Sequence, residues 1–145
     1  MNTPFIVLAA GGTGGHVFPA EALASTLLER GWRLALVTDR RGQAYGGTLG
    51  RLETFRIAAG GIAGRGLAAK VKSTLELGLG LIQARGLLAK AAPDAVIGFG
   101  GYAALPTMAA ATFLGLRTAI HEQNAVLCRA HRLLASRVDR IAPSY

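Results

Sequence analysis

Residues Phe5 to Ala10 (FIVLAA) form an unbroken apolar run, and Gly11-Gly12-Thr13-Gly14-Gly15-His16 follows it directly. A short apolar run closed by glycines reads as a strand buried on both faces. Such a strand needs helices on both sides of its sheet, which restricts the chain to an α/β architecture with a mostly parallel sheet. The glycines let backbone N–H groups approach an anion, and the helix that follows adds the favourable end of its dipole. The spacing is not the dinucleotide fingerprint, because Gly12 and Gly14 would require glycine where Val17 stands. It is not the NTPase P-loop, because no Gly-Lys-Ser/Thr follows. A tight strand–helix turn with no ligand is the plainer alternative.

The rest of the chain repeats this alternation. Helices are expected over Val17–Arg30 (Leu23, Leu27 and Leu28 on the apolar face, Gly31 as the stop), Leu67–Ala91, Ala103–Leu114 and Val126–Ala135. Further strands are expected over Arg33–Thr38, Thr54–Ala58, Asp94–Gly98, Thr118–His121 and Val138–Ala142, with a short helix inside the polar segment Asp39–Gly50. The uncharged stretch Ala95–Leu116 is long enough to span a bilayer. Gly98, Gly100, Gly101 and Pro106 break it into strand, loop and helix instead. The 145 residues make one Rossmann-like domain with helices on both faces of the sheet. Met1–Ala10 has no basic residue ahead of its apolar run, so no secretory signal is read there. The single cysteine, Cys128, excludes an internal disulfide.

In open parallel sheets ligands bind beyond the carboxyl ends of the strands. That rule selects Gly11–His16, Gly60–Gly66, Gly98–Tyr102 and His121–Asn124, which should share one rim. A net charge of +8 favours an anionic partner. Nucleic acid is disfavoured, because the basic residues are scattered and aromatics are only 6% of the chain.

Four groups of residues carry candidate chemistry. His16 opens a helix, where its charged form is disfavoured and it can accept a proton; capping or a loop hydrogen bond is the alternative. Gly98-Phe99-Gly100-Gly101-Tyr102 offers a second cluster of backbone donors, or close helix–sheet packing. His121-Glu122-Gln123-Asn124 places four polar residues after an apolar strand, which is costly unless they are paired or used. Asn124 and Gln123 could bond a sugar, Glu122 could orient an imidazole or take a hydroxyl, and Asn124 could instead cap the next helix. The helix Leu67–Ala91 is apolar around most of its circumference. With Arg65, Lys70, Lys72 and Arg85 beside Leu67, Val71, Leu75 and Leu79, it makes either a membrane-docking patch or a core helix with solvated lysines. No Asp-x-Asp pair, Cys/His ligand spacing or G-x-S-x-G is present, so neither metal nor cofactor is expected.

The segment Leu8–Pro19 (LAAGGTGGHVFP) resembles the first glycine loop of the MurG glycosyltransferases, Gly98–Tyr102 resembles their second, and His121–Asn124 resembles a third signature. The three stand in the family's order and cover nearly the whole chain. The resemblance implies the N-terminal half of a GT-B glycosyltransferase. Its implied reaction is the inverting, metal-independent transfer of N-acetylglucosamine from UDP-N-acetylglucosamine to lipid I, giving lipid II for peptidoglycan. It further implies that Gly11, Gly12, Gly14, Gly15, Gly100 and Gly101 line a diphosphate and that His16 is the base. Glu122 would stand beside His16 as a catalytic residue, and with Thr13, Tyr102 and Asn124 would help position the substrates. The apolar and basic patch would rest on the anionic cytoplasmic leaflet of the bacterial inner membrane, as a peripheral contact.

Three departures stand out. Ala104 lies where the family carries serine, Cys128 and His131 where it carries glycine and asparagine, and polar contacts around Asp39–Tyr45 look weaker. Family members are much longer, with a C-terminal donor-binding domain, so the isolated chain is expected to have little or no transferase activity. Two alternatives remain. One is a non-catalytic, membrane-docking subunit that binds a lipid pyrophosphate and needs a separate catalytic partner. The other is an α/β enzyme of another class, such as an NAD-dependent one, with Asp39 near the end of the second strand.

Overall fold

The computed structural model describes residues 2–11, 14–40, 45–60, 66–127 and 129–144. Six strands form one parallel sheet: β1 (Phe5–Ala9), β2 (Arg33–Asp39), β3 (Glu53–Ile57), β4 (Ala95–Gly98), β5 (Arg117–Glu122) and β6 (Arg140–Pro143). Their spatial order is β3-β2-β1-β4-β5-β6. The chain therefore winds outward from β1 in one direction, returns, and winds outward from β4 in the other. The reversal between β1 and β4 is the topological switch point, where neighbouring loops diverge and leave a crevice at the carboxyl edge.

The helices are α1 (Gly14–Glu29), α2 (Leu67–Ala91), α3 (Ala104–Phe113) and α4 (Arg129–Leu134). Strand side chains alternate between faces. On one face Ile6, Leu8, Leu34 and Leu36 meet Ala20, Ala24 and Leu27 of α1. On the other, Phe5, Val7, Ala35, Val37, Val96 and Ile120 meet Ala84, Leu88, Met108, Ala111 and Leu134 from the remaining helices. A strand buried on both sides is therefore apolar at every position, as β1 is. Residues 95–116 are strand, loop and helix, as their glycines and proline implied. Among the described residues no helix is long and apolar enough to cross a membrane.

Three sequence expectations shift. Helix α1 begins at Gly14, so Gly14 and Gly15 form its first turn rather than the loop. Its buried stripe is Ala20, Ala24 and Leu27, while Leu28 is exposed. Helix α4 begins only at Arg129, so Asn124 is not its cap. The short helix expected after β2 is a single 3₁₀ turn, Leu49–Arg51. It is tethered by Glu21 of α1, whose carboxylate accepts from the amides of Thr48 (2.6 Å) and Leu49 (2.9 Å). Burial acts to raise the Glu21 carboxyl, but these bonds outweigh it and hold its pKa below the ordinary glutamate range.

Helix α2 departs most from a core helix. Its 25 residues extend about 37 Å, whereas a five-residue strand covers only about 17 Å. Only Gly80, Ala84 and Leu88 are buried, all in its C-terminal half. Close packing there needs glycine, because a Cβ on Gly80 would run into the carbonyl of Ala58. The N-terminal half leaves Leu67, Val71, Leu75 and Leu79 exposed at a four-residue spacing, one face of a helix.

Candidate functional site

The two glycine turns meet at the β1/β4 switch point. The ladder runs one step past the strands there, Phe99 N–H donating to the carbonyl of Ala9 at 2.9 Å. Gly101, at φ +85°, lies so close to Gly11 that a Cβ on it would strike the Gly11 carbonyl. Gly11 in turn has Asp39, Thr38 and Ala103 within van der Waals range of where its own Cβ would stand. The turns are thus packed backbone against backbone on one rim, as the rule for parallel sheets requires.

His16 sits across this junction. Its ring covers Gly100, whose φ is +103°; a Cβ there would come within 2.5 Å of Nδ1 and 2.7 Å of Cε1. Gly100 and Gly101 therefore lack side chains for packing reasons, the first to seat an imidazole and the second to admit the opposite turn. Nδ1 of His16 lies 2.9 Å from the Phe99 carbonyl oxygen and 2.7 Å from the Gln123 carboxamide. Residues from the ends of β4 and β5 thus hold a side chain from the first turn of α1.

The third signature is braced from within. Glu122 is buried, and its Oε1 accepts from the backbone N–H (3.0 Å) and the Nδ2 (2.9 Å) of Asn124. Its Oε2 lies 2.7 Å from Nδ1 of His131, which is itself fully buried. Glu122 does orient an imidazole, but that of His131 rather than His16. A buried carboxylate with both oxygens engaged in this way shapes the loop. Ser144 N–H donates to the Glu122 carbonyl at 2.9 Å, tying the end of β6 to the same turn. His121 leans on the Phe99 ring at 5.8 Å between centroids, and its Nε2 lies 3.2 Å from Ser144 Oγ.

The rim is electrostatically suited to an anion. Helices α1 and α3 both start there, and neither has an acidic residue in its first turn. Ala103 supplies no side-chain cap to α3. The first-turn N–H groups of a helix have no partners within it, so their donors and the positive dipole ends face the crevice. Tyr102 is exposed beside it and Asn124 is exposed on the β5 side.

The expected residues fall into two groups. Gly11, Gly14, Gly15, His16, Gly100, Gly101, Tyr102, Glu122 and Asn124 lie along one rim, at or next to the ends of β1, β4 and β5. Leu67, Lys70, Val71, Lys72, Leu75 and Leu79 lie together on the exposed half of α2, the four aliphatic residues lining a shallow surface hollow. Gly12, Thr13 and Arg65 are outside the described residues. Two participants were underestimated from sequence. Gln123 reads as a sugar contact but touches His16, and His131 reads only as a departure but closes on Glu122. Ala104 is fully buried at the start of α3.

A parallel sheet in this strand order, with paired glycine turns and an imidazole at the switch point, defines a Rossmann-type domain. The model of the glycosyltransferase family 28 N-terminal domain matches residues 6–143, and the chain belongs to that family. It is 72% identical, over 98% of its length, to the UDP-N-acetylglucosamine--N-acetylmuramyl-(pentapeptide) pyrophosphoryl-undecaprenol N-acetylglucosamine transferase of Paramagnetospirillum magneticum. It is 60% identical, over its whole length, to the protein of that name from Rhodospirillum rubrum. The chain spans 38% of the length of each. The crystal structure of Acinetobacter baumannii MurG superimposes with a TM-score of 0.82 at 29% identity, covering 98% of this chain and 42% of that one. The family expected from the three motifs is the family found, and the fold is the Rossmann-like half of a GT-B glycosyltransferase.

Proposed function

We propose that this chain is the acceptor-binding and membrane-associating domain of a transferase that moves N-acetylglucosamine from UDP-N-acetylglucosamine onto lipid I, forming lipid II. The observation that carries the reading is the convergence of two glycine turns, two helix starts and an oriented imidazole at one switch point. Backbone donors of Gly11–Gly15 and of Gly100–Gly101 hold the acceptor's pyrophosphate. Thr13, Tyr102 and Asn124 position the sugar and phosphate groups, and Glu122 keeps Asn124 in place. His16 accepts the proton of the acceptor hydroxyl as its oxygen attacks the anomeric carbon; the bond to UDP breaks on the opposite side, and the centre inverts. The donor nucleotide is held mainly by a C-terminal domain like that of the longer relatives. No metal or cofactor enters this scheme. A purely recruiting subunit would have no use for an imidazole fixed at the centre of the rim.

The exposed half of α2 rests on the cytoplasmic leaflet. Leu67, Val71, Leu75 and Leu79 enter the headgroup boundary, and Lys70, Lys72 and Arg65 meet anionic lipid, each cation adding about 1 kcal/mol near such a surface. The deciding experiment is binding of lipid I to the chain, with His16→Ala and Asn124→Ala beside it. Binding by the wild type that is weakened by Asn124→Ala supports the reading. No binding by the wild type sinks it.

A further inference from the structure

The two neighbours of His16 Nδ1 make opposite demands. The Phe99 carbonyl, at 2.9 Å, is only an acceptor and requires a proton on Nδ1. The Gln123 nitrogen, at 2.7 Å, is only a donor and requires a bare Nδ1. One ring nitrogen cannot satisfy both. The two ends of a carboxamide are told apart only by their hydrogen bonds. Rotating the group by half a turn brings its oxygen onto Nδ1, and the conflict disappears, because one N–H then points between two oxygens.

We infer that Gln123 turns its carboxamide oxygen to His16 and, together with the Phe99 carbonyl, holds the imidazole as the Nδ1–H tautomer, leaving Nε2 as the proton acceptor. This deepens the proposed role of His16 and rests on it. Gln123 is thereby a positioning residue, acting through His16. Its placement follows from strand geometry: Glu122 turns into the fold at the end of β5, and the next residue turns the other way, toward α1. When Nε2 takes the acceptor's proton, the ring becomes an imidazolium whose Nδ1–H keeps both oxygens. Gly100 completes the arrangement, since any side chain there would push the ring off both acceptors.

Long-range ¹⁵N–¹H correlation spectra of the labelled chain report which ring nitrogen carries the proton. In its neutral form the wild-type ring is expected to show a protonated Nδ1 and a bare Nε2. Gln123→Met keeps the length of the side chain but removes the acceptor, and shifts the tautomer ratio toward Nε2–H by about fivefold, the worth of one hydrogen bond. Gln123→Glu can only accept, and restores the wild-type pattern. A wild type in the Nε2–H form, a Gln123→Met chain indistinguishable from wild type, or a Gln123→Glu chain in the Nε2–H form each overturns the inference. These spectra need no substrate. A full-length enzyme that transfers no N-acetylglucosamine sinks the proposed function while leaving the tautomer result standing.

Discussion

The switch-point rim and helix α2 are both rich in glycine, for opposite reasons. At the rim a methyl group on Gly98, Gly100 or Gly101 would run into Met108, the His16 ring or the Gly11 carbonyl. In α2, Gly80 alone is pressed against a neighbour, while Gly78 and Gly86 face open space. The number of glycines in a segment therefore says little; what each would strike separates a built site from a tolerant surface. The same contrast holds for apolar residues. Those of β1 and β2 are buried, and those on the outer half of α2 are held in solvent.

Substitutions can break or sharpen that contrast. Gly101→Ala adds a side chain at positive φ and drives it into the Gly11 carbonyl, so it should destabilise by about 3 kcal/mol or more, seen as a large drop in Tm. Gly100→Ala should cost about 2 kcal/mol, less than Gly101→Ala because the imidazole can swing away, seen as a smaller drop in Tm. A paired Leu75→Glu and Leu79→Glu change should leave Tm within about 2 °C and lower binding to anionic vesicles roughly tenfold, read by co-sedimentation. Gly86→Ala, in an exposed helical position, should raise stability by about 0.5–1 kcal/mol in urea unfolding. A destabilised Gly86→Ala or an unaffected Gly101→Ala would erase the distinction between the two regions.

Much of the fold was legible because its signals are local. FIVLAA is apolar at every position because both its faces are covered, and each of the other strands lies within about two residues of its expected limits, the scatter usual at element ends. The start of α1 was misread because glycine is a poor helix former, yet Gly14 and Gly15 stand in the first turn, where backbone donors are wanted. The exposed stripe of α2 was ambiguous because periodicity shows a face without showing what covers it. At the site, the motifs named the right residues without their partners. His16 and Gln123 are 107 positions apart and meet only because β5 ends beside the α1 start. Glu122 and His131 are nine apart, but the turn that joins them has no periodic signature.

The contact of Gly101 with Gly11 has a consequence for how such a domain can change over time. Gly101 cannot acquire a side chain unless the Gly11 backbone, ninety positions away, retreats, whereas a methyl group on Gly11 would meet only side chains at 3.3–3.5 Å. A library that randomises position 101 while freezing the first turn will therefore recover mostly glycine there.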